Sequence, residues 1–101
     1  VVEGNSVSAR PKATPTIQID NDHVIVTEWR FAPSAGSGWH WHEYDYIVVP
    51  LTTGKLVLET KDGVGSAELE ADCSYFRKVG VEHTVVNANE HEFAFVETEL
   101  K

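Results

Sequence analysis

What most limits the fold of this chain is its punctuation. From Thr16 onward, short runs rich in β-branched and aromatic residues alternate with Gly, Asn, Asp and Pro, and no segment sustains a helical period. Thr16–Asp20 and His23–Phe31 flank an Asn21-Asp22 turn, and a Pro33–Gly38 loop leads into an extended Trp39–Leu51. Thr52-Thr53-Gly54 turns into Lys55–Thr60, and Lys61-Asp62-Gly63 is a hairpin signal before Val64–Ala71. Ser74–Val79, His83–Ala88 and Glu92–Leu100 complete the set. Strands recurring every ~8–12 residues predict an all-β sandwich, jelly roll or barrel. A length of 101 residues fits one domain. Residues 1–15 lack periodicity and predict a tail, or an arm lying on a neighbour; residues 16–101 form the β-domain.

Charge and cysteine usage narrow the surroundings. The 16 acidic residues outnumber the 8 basic ones, a net charge of −8 that disfavours nucleic acid and anionic membrane as partners. A small-molecule ligand is unaffected by this argument, because one local cation outweighs the global field. No apolar run approaches the ~20 residues of a membrane helix. Cys73 stands alone, which rules out an intramolecular disulfide and suits a reducing compartment. The start of the sequence shows no basic segment followed by an apolar one, so the expected location is cytoplasmic.

The chemistry concentrates in Gly36–Tyr46, which reads GSGWHWHEYDY. On an extended strand His40 and His42 share one face, with Trp39 and Trp41 on the other. Two imidazoles so placed can reach one metal ion of the Zn, Cu, Fe or Ni type, but a third ligand must come from elsewhere. Lys78–Asn87, reading KVGVEHTVVN, offers His83.

With both stretches in view, the chain resembles the cupin superfamily over roughly residues 17–100. Its first motif is matched by His40, His42 and Gly54, with Ser34 at a glycine position, Tyr46 where the family has a glutamate, and one extra residue before Gly54. The second is matched by Gly80, His83 and Asn87, with Asp72 at a glycine position and Lys78 at a proline position. The resemblance implies a cupin-type antiparallel β-barrel, or jelly roll, and one divalent metal ion (Fe, Mn, Ni or Zn) held by His40, His42 and His83. Tyr46 departs from the family's carboxylate ligand; Asp45, beside it, faces inward only if the strand is bulged. A neutral phenol is a poor ligand, so Tyr46 is assigned a catalytic role contacting the substrate.

The resemblance further implies a homodimer and two possible activities. One is a non-haem iron, dioxygenase-type enzyme acting on a small organic molecule. The other is a non-catalytic or auxiliary protein that binds a small ligand in the same cavity. Tyr44–Gly54, reading YDYIVVPLTTG, also looks like a group of small cupins linked with β-alanine degradation. Elsewhere, Cys73 is expected to be a buried, inert thiol. His23, His91 and the Glu97/Glu99 pair are expected to be solvated, Arg30 to point outward, and Trp29, Phe31, Trp39, Trp41, Phe76, Phe93 and Phe95 to form core or interface.

Overall fold

The computed structural model describes residues 10–101. Among these residues there are nine strands and no helix, hence no helix long and apolar enough to cross a membrane. The strands are β1 (Thr14–Asp20), β2 (Val24–Phe31), β3 (His40–Trp41), β4 (Asp45–Pro50), β5 (Gly54–Thr60), β6 (Gly63–Leu69), β7 (Tyr75–Arg77), β8 (Glu82–Asn87) and β9 (Phe93–Leu100). They form two antiparallel sheets, ordered β1-β2-β9-β4-β7 and β3-β8-β5-β6, in a jelly-roll arrangement. Local chemistry sets the turns. Asn21 Oδ1 accepts the amides of His23 (2.8 Å) and Val24 (3.0 Å), which closes the β1–β2 hairpin.

Two-residue alternation decides what faces the interior. On β4, Tyr46, Val48 and Pro50 are buried while Asp45, Ile47 and Val49 are half-exposed. On β9, Phe93, Phe95 and Glu97 are buried in the same rhythm. Tyr46, Val48, Phe93 and Phe95 meet Phe31, Leu56 and Val85 in the core. Trp39, Trp41 and Phe76, expected in core or interface, lie on the surface of the chain.

The extended run expected over Trp39–Leu51 is in fact two strands in different sheets. β3 pairs with β8, whereas β4 pairs with β9 and β7. Past β3 the ladder persists for one more residue: the His42 amide donates to Val81 O (2.9 Å) and Gly80 N–H to His42 O (2.9 Å). The chain then crosses over through Glu43 and Tyr44. A jelly roll needs such crossings, because its two sheets share one chain.

Three motif positions act through the backbone. Ser34 and Asp72, which stand where the resemblance expected glycines, still adopt the left-handed conformation, with φ of 69° and 71°. At Gly54 a Cβ would lie 2.7 Å from the Asn89 side chain, which bonds Lys55 N and O at 2.9 Å each. Of segment 1–15, residues 1–9 lie outside the described residues. Residues 10–13 pack on their own chain: Ala13 N–H donates to Gly36 O (3.0 Å), Gly36 N–H to Pro11 O (2.9 Å), and Arg10 pairs with Glu59 (3.0 Å).

Candidate metal centre

One sheet, through β3 and β8, brings three histidines to one point. His40 and His83 stand opposite each other across β3 and β8, and His42 follows on the same face. His42 Nε2 lies 3.0 Å from His40 Nε2 and 3.3 Å from His83 Nε2. The far side of His40 is fixed: its Nδ1 lies 3.0 Å from Gly38 O and 3.3 Å from Ser37 Oγ. A carbonyl can only accept, so Nδ1 carries the proton and Nε2 keeps its lone pair for a ligand. Three imidazole nitrogens bound to one ion at ~2.1 Å would sit ~3.0 Å apart at adjacent octahedral positions, or ~3.4 Å apart in a tetrahedron. His42 stands at such a separation from both neighbours, and one ligand atom of each histidine lies within 4.8 Å of the others, so the residues fit a single divalent ion.

Burial primes the site electrostatically. It depresses His42 and His83 from 6.5 to about 4, with the neighbouring His40 adding to the effect, so both rings are neutral at physiological pH. Neutral imidazole is the form that ligates.

The glutamate position of the family motif is filled by a packed phenol. Tyr46 projects from the opposite sheet and stacks on His42, with ring centroids 4.0 Å apart and planes 16° from parallel. Burial, then the nearby Glu97 charge, pushes its hydroxyl well above the ordinary range, so it stays protonated. Asp45 points away: its Oδ1 accepts the Val79 amide at 2.8 Å.

Sequence reasoning missed Glu97. Its charge predicts a solvated residue, yet its side chain is only 11% exposed and its Oε2 lies 3.9 Å from His42 Nδ1. Burial, with the Glu99 charge second, raises its carboxyl from 4.5 to about 7. The clue was available, because Glu97 continues the inward parity of Phe93 and Phe95. One ligand atom each from His42, Glu97 and Glu99 also lie within 4.8 Å of one another. Glu99 is half-buried rather than solvated. Cys73, expected to be buried, is exposed, its thiol raised by a hydrogen bond to Glu70. His23 and His91 are exposed, and Arg30 points outward, tied to Glu28 (3.0 Å) and Glu92 (2.9 Å).

A cavity of about 230 Å³ opens beside the triad. His40, His83, Tyr46 and Glu97 reach it, while Trp29, Phe31, Val48, Leu56, Leu58 and Phe95 make most of its wall apolar. Few polar groups on an apolar wall is the usual composition of a small-molecule pocket.

A jelly roll carrying a histidine triad at the inner face of β3 and β8 defines a class, and comparison with known proteins agrees. The cupin domain family matches residues 27–99, and this chain belongs to it. It is 61% identical over 95 residues to the beta-alanine degradation protein BauB of Pseudomonas aeruginosa, a match that covers 94% of this chain and all of that one. A cupin domain from Bordetella pertussis superposes with a TM-score of 0.90 at 55% identity, covering 91% of this chain and 96% of the other. The polyketide cyclase RemF of Streptomyces resistomycificus shares the fold at 22% identity, with a TM-score of 0.70 over 90% of this chain and 68% of its own.

Proposed function

We propose that this chain is a metal-dependent cupin enzyme, of dioxygenase type, that acts on a small organic molecule in the breakdown of β-alanine or a related compound. The observation that carries the reading is the convergence of His40, His42 and His83 Nε2 atoms at 3.0 and 3.3 Å beside a small apolar cavity. The pathway comes from the 61% identical beta-alanine degradation protein. A bound divalent ion would supply Lewis-acid polarisation and, if it is iron, redox chemistry. The chain does the rest. Apolar walls exclude water, the protonated Tyr46 offers a hydrogen-bond donor, and Glu97 in the metal-free site holds or releases a proton near neutral pH.

Elemental analysis after loading with Fe²⁺, Mn²⁺, Ni²⁺ and Zn²⁺, followed by oxygen uptake with small thiols and diketones, tests the reading. About one metal per chain in the wild type and none in His42→Ala is expected. A wild type that takes up no metal would refute it. One observation favours auxiliary ligand binding without catalysis: a phenol occupies the carboxylate position. Metal uptake without any turnover would support that alternative.

Assembly as a homodimer belongs to the same reading. Trp39 and Trp41 are more than half exposed, and β1, which among the described residues pairs with β2 alone, exposes Ile17 and Ile19 along a sheet edge. Sedimentation at micromolar concentration is expected to show a species of twice 11.2 kDa; a monomer would refute this part.

A further inference from the structure

The cavity carries one cation. Among the described residues that line it, Arg77 is the sole lysine or arginine. Arg77 ends β7, the edge strand, and stands directly opposite Tyr46 in the β4–β7 register. Directly opposed residues of an antiparallel pair project to the same face. Tyr46 faces the interior, so Arg77 lies on the same face, at the cavity rim, where it lines the cavity while remaining solvent-exposed. The guanidinium is held there: its carbon sits 4.5 Å over the Tyr75 ring, and Nη1 donates to Phe76 O at 2.9 Å. The remaining N–H donors of the fork meet no carboxylate among the described residues. Arg10 and Arg30, by contrast, are both paired with glutamates. The nearest inward acids on β9 lie across β4, two strand spacings away or ~10 Å. In a chain of net charge −8, an arginine at the rim of an apolar cavity with no acidic partner among the described residues is a placement that invites an anion.

We propose that Arg77 anchors the carboxylate of a short organic acid, whose other end reaches the histidine triad. This deepens the proposed function and rests on the same cavity serving as the ligand pocket. Tyr46 links the two poles, since it stacks on His42 and stands beside Arg77. Size sets the chain length. At 230 Å³ the cavity is below the ~300–1,000 Å³ of sites for drug-sized ligands, which favours an acid of a few carbons. A guanidinium fork matches a carboxylate with two parallel hydrogen bonds, which a neutral amide cannot reproduce.

The test uses butyrate and its neutral isostere butanamide, titrated into full-length, chelator-treated protein and followed by amide and Arg77 Nε–H NMR shifts. We expect butyrate to bind at least ~10-fold more tightly than butanamide, a preference lost in Arg77→Gln and partly kept in Arg77→Lys. The preference should persist in His42→Ala, so failure of the metal centre and failure of the anchor give different results. Equal binding of the two probes, or no saturable binding of either, overturns the proposal. So does a preference that survives in Arg77→Gln. A preference that appears only after Zn²⁺ is added, and that ignores Arg77, places the carboxylate on the metal and also overturns it. Should Arg77→Gln lose its dispersed spectrum, the wild-type comparison and Arg77→Lys still decide.

Discussion

Replacing Glu97 with glutamine should stabilise the metal-free protein, and increasingly so as pH rises. Glutamine keeps the shape and removes the ionisable group. Burial raises the Glu97 carboxyl from 4.5 in the unfolded chain to about 7 when folded. A raised carboxyl binds its proton more tightly in the folded state. Its favourable contribution is therefore complete below about 4.5 and is lost as pH climbs through about 7. From that shift, ionisation costs the fold under ~1 kcal/mol at about pH 5 and ~3 kcal/mol at about pH 8. The gain in stability of Glu97→Gln over wild type should thus grow by ~2.5 kcal/mol across that interval, or roughly 10–20 °C in Tm for a domain of this size. His42 and His83, held near 4 by burial, are neutral in the folded protein throughout this interval, so their contribution is set by the unfolded chain and is shared by both proteins. The assay is urea unfolding followed by far-UV circular dichroism on chelator-treated protein at several pH values. A stability difference that stays flat with pH would show that Glu97 is not held neutral inside the barrel, and the reasoning would fail.

Three further outcomes can be checked directly. Tyr46→Phe should keep its metal by elemental analysis while binding a cavity ligand roughly 5–10-fold more weakly, the worth of one hydrogen bond; loss of the metal comparable to His42→Ala would make the phenol a ligand. Because burial holds His42 and His83 neutral down to about 4, metal should remain bound at about pH 5.5, where unperturbed imidazoles are mostly protonated; equilibrium dialysis showing release above that pH contradicts it. Asn87→Ala should cost ~3–5 kcal/mol in urea denaturation, because its buried amide donates to Phe31 O (3.0 Å) and His91 O (2.8 Å) and its oxygen accepts from Asn89 N–H (2.9 Å); a loss under ~1 kcal/mol would remove Asn87 from the framework.

Much of this protein was legible in its residues because strands and turns are local. The period-two runs, the Asn21 turn and the Lys61-Asp62-Gly63 hairpin follow from side-chain and backbone preferences that act within a few positions. The histidines were legible because their spacing is that of a known family. Tertiary structure decided the rest. Whether residues 39–51 were one strand or two depended on which sheet each half joined, and hydrogen-bond partners lie far away in sequence. Tyr46 meets His42 across two sheets, by packing and not by alternation along one strand. Glu97 looked solvated because charge is the best local guide to exposure; the parity set by Phe93 and Phe95 overrode it and turned the carboxyl inward. Cys73 went the other way, exposed by its turn despite the usual preference for burial. Arg77 carried no local signal at all. Its place at the cavity rim follows from standing opposite Tyr46, and a register between strands 31 residues apart is set by the packing of the whole barrel.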